Sequence, residues 1–185
     1  MRRALLVLLF ALPVFAISRD QAVLQRGLPA RHAIMRVFLG DMNNDGRSDV
    51  IVLARSWDEA TNPDTPRPIL IFLRNAQGHL KRVARADGIV ACAACGGVAG
   101  DPWARTDHNF ARISLEPDGF SVLEFAGSGW RGWSKVSFRF LAGRFRLSSC
   151  VQKTFHLGHI FAPVISRVTP KPVLLEVFKH SDCLH

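Results

Sequence analysis

What the chain lacks excludes several classes of protein. Beyond its first 16 residues, it has no apolar run approaching the ~20 residues that a membrane-spanning helix needs. It has no Gly-x-x-x-x-Gly-Lys phosphate loop, no dinucleotide-binding fingerprint and no low-complexity segment. Gly127-Ser128-Gly129 lacks the spacing of a Gly-x-Ser-x-Gly nucleophile elbow. The sequence therefore gives no support to a nucleotide-binding protein or to a serine hydrolase of that type.

Acidic residues are also scarce, and they are unevenly placed. The chain has 24 Lys and Arg against 15 Asp and Glu, which gives a net charge of +9. Six of the acids crowd into one stretch: Asp41, Asp45, Asp49, Asp58, Glu59 and Asp64. The rest of the surface is then strongly basic, which favours anionic partners such as nucleic acid, lipopolysaccharide or acidic glycans. The plainer interpretation is that the positive charge only keeps the protein soluble.

The first 16 residues have the pattern of a secretory signal peptide. Arg2 and Arg3 precede an apolar stretch over residues 4–15, and Val14-Phe15-Ala16 suits a cleavage site. We therefore expect a periplasmic or secreted protein that begins near Ile17, carries a net charge of +7 and has no membrane span after cleavage. An exported protein makes nucleic acid an unexpected partner. An anionic envelope polymer or another protein is the expectation.

Residues 41–49 have the composition of a calcium-binding loop. Side-chain oxygens stand at positions 1, 3, 5 and 9, and Gly46 at position 6 permits a sharp turn through positive φ. This is the oxygen-rich arrangement that wraps a hard dication. The candidate Ca²⁺ ligands are Asp41, Asn43, Asp45, Arg47 (through its backbone carbonyl) and Asp49. The alternative is an Asx-rich hairpin turn whose side chains bond only to nearby backbone amides.

The segments beside this loop predict strands, not the helices of an EF-hand. Residues 33–39 and 49–54 are short and rich in β-branched or aromatic side chains, and Val52 stands where an EF-hand needs glutamate. The strand–loop–strand unit over residues 34–80 resembles the FG-GAP/VCBS repeat of integrin α-type propellers and many secreted bacterial proteins. The resemblance implies a calcium site formed by the five candidate ligands.

Only one copy of this unit is present, whereas a propeller needs at least about four blades. We therefore expect a single, mainly β domain over residues 17–185, built as an antiparallel sandwich or open barrel with one FG-GAP-like calcium hairpin and minor helix. The apolar run 69–73 predicts a central strand, residues 79–84 a short strand, and the Gly-rich residues 86–108 a long loop.

The second half predicts an antiparallel meander over residues 107–150. Strands are expected at 110–115, 120–125, 133–141 and 144–149, with turns at Pro117-Asp118-Gly119 and Ala142-Gly143. In the last two strands, apolar and basic side chains alternate, so one face should be apolar and the other basic. The final segment from Val173 to Phe178 suits either a strand or a short helix.

Two groups of residues are candidates for ligand binding. Tryptophans in Gly-rich segments can stack on sugar or base faces, and arginine adds cation–π or anion contacts. The alternatives are that the basic face is merely solvated and that the tryptophans fill the core. The candidates are Trp103, Trp130, Arg131 and Trp133, together with the basic residues Lys135, Arg139, Arg144 and Arg146.

Four cysteines in an exported chain predict two disulfides. The simplest of the three pairings joins Cys92 to Cys95 and Cys150 to Cys183. A thioredoxin-like redox pair or a zinc site is less consistent with the sequence, because Cys-x-x-Cys is followed by Gly96-Gly97 and no second such motif exists. The second half also resembles exported bacterial proteins with a similar Cys-x-x-Cys-Gly-Gly stretch, and that resemblance implies no activity.

Two classes of function follow. The preferred one is an exported, calcium-stabilised binding module for an envelope polymer or a partner protein, with no catalytic residues. The alternative is a periplasmic hydrolase or thiol-redox protein that uses the Gly-rich loop around Cys92–His108, where Asp101, Asp107 and His108 could form an acid–base group.

Overall fold

A computed structural model of the chain describes residues 14–104, 111–156, 158, 164–168 and 171–183. The described part contains one α-helix, α1 (Val14–Gly27), followed by nine strands. The strands are β1 (His32–Gly40), β2 (Asp49–Ser56), β3 (Arg67–Arg74), β4 (Leu80–Val90), β5 (Ala111–Glu116), β6 (Gly119–Gly127), β7 (Trp130–Leu141), β8 (Arg144–His156) and β9 (Val164–Val168). None of the described helices is long and apolar enough to cross a membrane.

The strands form two antiparallel meanders that pack face to face. Sheet 1 has the order β1-β2-β3-β4, and sheet 2 has the order β5-β6-β7-β8-β9. Ile51 and Ile71 of sheet 1 share one core with Phe120, Phe138 and other apolar residues of sheet 2. The expected mainly β antiparallel sandwich is therefore confirmed, and the sheets do not close into a barrel.

The inner strands β2 and β3 of sheet 1 are buried on both faces, which explains their uninterrupted apolar runs. Leu24 of α1 packs on Val52, Leu70 and Phe72, on the face opposite the sandwich core. Contact is so close at the end of α1 that a Cβ added at Gly27 would lie 2.6 Å from a ring carbon of Phe72. The apolar run 69–73 lies in β3, an inner strand of the sheet, as expected. A strand that is covered by a sheet on one side and by a helix on the other has no solvent-exposed face, so apolar residues are favoured at every position.

Strands β4 and β8 extend six and seven residues past their predicted ends at 84 and 149. The segment expected to begin a loop at residue 86 continues β4 to Val90, and Ala86 pairs with Ile69. The strand passes close to the tail there, since a Cβ at Gly88 would lie 3.1 Å from the carbonyl oxygen of Phe178. Likewise β8 extends past residue 149 to His156. A register shift at Ser137/Phe138 lets both Leu147 and Cys150 reach the core, which breaks the simple alternation.

The tail packs back on the sandwich. Residues Leu175–Val177 form a 3₁₀ turn, and Leu174 makes an isolated bridge with Arg146 of β8. A disulfide joins Cys183 of the tail to Cys150 of β8, and a second joins Cys92 to Cys95. This is the simplest of the pairings considered from the sequence. Two disulfides indicate an oxidising, non-cytoplasmic environment.

A buried arginine joins sheet 1 to the loop after β4. Arg67, at the start of β3, has no exposed surface. Its guanidinium donates to both carboxylate oxygens of Glu59, at 2.7 and 2.8 Å, and to both of Asp101, at 2.6 and 2.5 Å. Paired bidentate contacts of this kind are among the strongest hydrogen bonds in proteins. Because Asp101 lies in the Gly-rich loop, Arg67 anchors that loop to the sheet.

We expect Arg67→Met to lower the free energy of unfolding by about 3–5 kcal/mol, because it leaves two carboxylates facing each other without a counter-charge. Urea unfolding measures the loss. Arg85→Met is the matched control, since Arg85 pairs with Asp87 at an exposed site and its removal should cost less than about 1 kcal/mol. Equal losses in the two variants would show that the buried network has no special role.

Candidate functional site

The Asp41–Asp49 loop folds around its own backbone amides. The Oδ1 atom of Asp41 accepts from the amides of Asn43 and Asp45, both at 3.2 Å, and its Oδ2 atom accepts from Gly46 at 2.7 Å. Asn44 and Gly46 both have positive φ, 58° and 78°, which turns the chain tightly. Partial burial tends to raise the pKa of Asp41, but the loop amides outweigh it, so the pKa is lowered.

Asp49 is the buried member of the loop. Its Oδ2 atom accepts from the amide of Met42 at 3.0 Å, and its Oδ1 atom from the amide of Arg74 at 2.9 Å. Burial raises the pKa of Asp49, and the charges of Asp45 and Asp41 raise it further, against the effect of these two hydrogen bonds. Asp49 therefore ties the loop to the end of β3 whether or not a metal binds.

The loop supplies the kind of oxygens that Ca²⁺ prefers, but their arrangement is not that of a metal cage. Asp45 accepts from the side-chain amide of Asn43 at 2.8 Å and from the guanidinium of Arg47 at 2.5 Å. Within the described residues, no three His, Cys, Asp or Glu side chains are grouped closely enough to hold a metal ion. Binding of Ca²⁺ would require Asp45 to exchange Arg47 for the ion.

The basic face lies on the outer side of sheet 2, where alternation along β7 and β8 separates it from the core. Val136, Phe138, Phe145 and Leu147 are buried, and Phe140 packs at the margin of the core. The predicted basic face rested on alternation in two strands only. Strand pairing places three further residues on the same face: Arg112, Lys153 and Arg167. With these additions the basic face includes Arg112, Lys135, Arg139, Arg144, Arg146, Lys153 and Arg167.

Trp130 and Trp133 both lie in strand β7, which begins three residues before the strand expected at 133–141. Their pairing explains the difference: Trp130 is opposite His156 and Trp133 opposite Lys153, so the strand continues through Gly132. Because they are three residues apart, the two rings lie on opposite faces. Trp133 lies on the outer face with Phe125 and Phe155, at centroid distances of 4.8 and 5.9 Å.

Trp133 also lies close to a cation of the basic face. The ammonium nitrogen of Lys153 is 5.8 Å from the centroid of its ring. Trp130, in contrast, is 61% exposed and meets the ring of His156 edge to face, at 4.9 Å. Arg131 donates from Nε to the carbonyl of Ser128 and so braces the turn before β7.

Trp103 is a core residue, which corrects its assignment as a stacking platform. It is 1% exposed, its amide donates to Asp101 at 2.9 Å, and the guanidinium of Arg36 lies 5.7 Å from its ring centroid. Its indole Nε1–H donates to Oε1 of Glu124. A ring buried in this way cannot stack on a ligand.

Glu124 is the functional candidate that sequence reasoning missed. It is 6% exposed, and its Oε1 atom also accepts from the amide of Ala91 at 2.8 Å. Burial raises its pKa, against the opposing effects of these two hydrogen bonds and of Arg67. The only sequence signal is a carboxylate among the mostly apolar residues 120–125.

The acid–base group expected in the Gly-rich loop is only partly described. Asp107 and His108 lie outside the described residues. Asp101 is held by Arg67; burial alone would raise the pKa of Asp101, but these hydrogen bonds lower it, so the carboxylate stays ionised. Cys92 and Cys95 are joined as a disulfide.

No family model, curated protein or solved structure matches the chain.

Glu124→Gln should reveal the buried carboxyl through the pH dependence of stability. A folded-state pKa above the unfolded value contributes stability at low pH that is lost as pH rises through the folded pKa. Glutamine keeps an oxygen for the indole of Trp103 and cannot ionise. The stability advantage of the wild-type protein over the variant should therefore shrink from pH 4 to pH 8, measured by urea unfolding. Glu116→Gln, at an exposed carboxyl, is the control; a constant difference for Glu124→Gln would contradict the buried-acid assignment.

Proposed function

We propose that the protein is an exported binding module whose basic face holds an anionic envelope polymer, with a calcium-ordered loop on the other sheet. The observation that carries the proposal is the set of seven basic side chains on one face of sheet 2, drawn from β5, β7, β8 and β9.

The spacing of these cations supports a polymeric ligand. Arg112, Lys135 and Arg167 stand in one row across the sheet, two strands apart from each other. Neighbouring strands lie ~4.8 Å apart, so the row presents a positive charge about every 10 Å. A chain with repeated anionic groups can meet several of these charges at once, whereas a small anion meets one.

Within the part of the chain that the structure describes, few acids neutralise the basic face. Lys135 lies 3.5 Å from Glu116, and Arg139 lies 3.0 Å from Asp118. These are exposed pairs, which contribute little and exchange readily for other anions. At one end of the face, the cluster of Trp133, Phe125 and Phe155 beside Lys153 offers an aromatic surface next to a cation. Such a surface suits a sugar that carries an acidic group.

Calcium is proposed as a stabilising ion in the Asp41–Asp49 loop. Support comes from the charges of Asp45 and Asp41, which both raise the pKa of the buried Asp49. A bound dication would supply the counter-charge. The residues that would hold it are Asp41, Asn43, Asp45, Asp49 and the backbone carbonyl of Arg47.

Ca²⁺ at 10 mM should raise the melting temperature of the exported protein above its value in excess EDTA. With a Kd near 10⁻⁴ M, the stabilisation is about 2.7 kcal/mol, or roughly 5–10 °C for a domain of this size. Asp45→Ala should abolish the shift, and Asp87→Ala, at an exposed acid outside the loop, should keep it. An unchanged melting temperature in the wild-type protein would leave the loop as an Asx-rich turn.

Heparin, as a model acidic glycan, tests the basic face. Arg112→Glu with Arg167→Glu should lower the NaCl concentration that elutes the protein from immobilised heparin, because two charges of the row are reversed. Arg55→Glu with Lys81→Glu changes the net charge equally on sheet 1 and should have a much smaller effect. If both double variants elute together, the attraction is a property of net charge and the basic face is not a site.

A further inference from the structure

The described residues 91–104, which include the Cys92–Cys95 disulfide, are here called the disulfide loop. A cavity of about 390 Å³ lies where this loop meets the inner face of sheet 2. Its wall includes the Cys92–Cys95 disulfide and the side chains of Glu124, Asp64, Asp87 and His180. No lysine or arginine lines it among the described residues. The cavity therefore differs in charge from the basic face, which lies on the opposite side of the same sheet.

Glu124 is held with one oxygen available to this cavity. Its Oε1 atom accepts from both Trp103 and Ala91, whereas its Oε2 atom accepts no hydrogen bond from the described residues. Two donors from the disulfide loop fix the carboxyl in place, so its free oxygen is oriented before any ligand arrives. A buried, oriented acceptor of this kind recognises a hydrogen-bond donor.

A second, shallower cavity of about 210 Å³ continues the first along the sheet. The two share Ala126 and Ser134 as lining residues, and the second adds Gln152 and Thr154. Pairing places Glu124, Ser134 and Gln152 in one row across three strands. The exposed ring of Trp130 lines the far end. The two cavities form one cleft, with a carboxyl at the closed end and an indole at the open end.

The length of this cleft sets the size of its ligand. From the row of Glu124 to the row of Trp130 is four residues along the strand, or ~13 Å at ~3.3 Å per residue. A ligand that touches both ends must be longer than one sugar ring. Hydroxyl and amide side chains between the ends match a chain of sugar hydroxyls, and the indole matches the apolar face of a ring.

We propose that this cleft binds an oligosaccharide of amino sugars, with one ring on Trp130 and an amino or hydroxyl group at Glu124. Amino sugars are preferred because Asp64 and Glu124 line the closed end and no lysine or arginine among the described residues lines it; Asp87, which also lines it, is paired with Arg85. The same acids repel anionic saccharides. The only arginine of the shallow cavity is Arg131, whose Nε already bonds to Ser128. The proposal is independent of the basic face.

NMR of the ¹⁵N-labelled exported protein tests the proposal, because the indole N–H signals of Trp103 and Trp130 report on the two ends. Three trimers are titrated: β-1,4-linked glucosamine, cellotriose and trigalacturonate. The glucosamine trimer should shift both signals, cellotriose should bind more weakly, and trigalacturonate should leave both unchanged. Failure of the glucosamine trimer to shift either signal, or equal binding of trigalacturonate, would overturn the proposal.

Variants locate the contacts. Trp130→Ala should raise the Kd for the glucosamine trimer about tenfold, whereas Trp57→Ala, at a similarly exposed tryptophan outside the cleft, should not change it. Glu124→Gln should weaken the glucosamine trimer about tenfold and cellotriose much less, because it removes only the charge. Arg112→Glu with Arg167→Glu should leave trimer binding intact. Equal weakening by Trp57→Ala and Trp130→Ala would place binding elsewhere, even if Glu124→Gln fails to fold.

Discussion

The buried guanidinium of Arg67 is the constraint on which much of the structure depends. A cation with no access to water must be fully paired, and Glu59 and Asp101 supply four hydrogen bonds. Asp101 also accepts from the amide of Trp103, and the indole of Trp103 donates to Glu124. Arg67 is thus connected, through Asp101 and Trp103, to the carboxyl of Glu124 at the closed end of the cleft. The described part of the Gly-rich loop is therefore held to sheet 1 through Asp101.

The unequal lengths of the strands explain why sheet 2 has two different faces at which we propose binding. Strands β7 and β8 have 12 and 13 residues, whereas β2 and β3 have eight each. At ~3.3 Å per residue, the longer strands extend ~13 Å or more beyond the shorter ones. The covered part of the inner face is the core. The uncovered part carries Gln152, Thr154 and Trp130 and forms the shallow half of the cleft. The outer face is left free for basic residues.

The loop at residues 41–49 has a structural role apart from any ion. Asp49 is completely buried and bonds to amides on two segments, so the hairpin between β1 and β2 is fixed to the end of β3. This explains why an acid-rich loop is compatible with a stable domain. It also places the proposed calcium site at the margin of sheet 1, where ordering of the loop and stability of the sheet are coupled.

Local pattern was sufficient for much of this protein. Alternation and apolar runs identified the central strand β3, the strand pair β7–β8 with its basic outer face, and the class of fold. Side-chain periodicity of this kind follows directly from burial. The spacing of oxygens in residues 41–49 predicted a calcium-binding loop that turns at Gly46; the turn is present, and the calcium site stays a prediction. Tertiary structure alone decided the rest. Strand pairing put Trp130 and Trp133 on opposite faces and brought Arg112, Lys153 and Arg167 onto the basic face, and the network of Arg67 buried Trp103 against Glu124. These depend on contacts between residues far apart in the chain, whose energies no local pattern records.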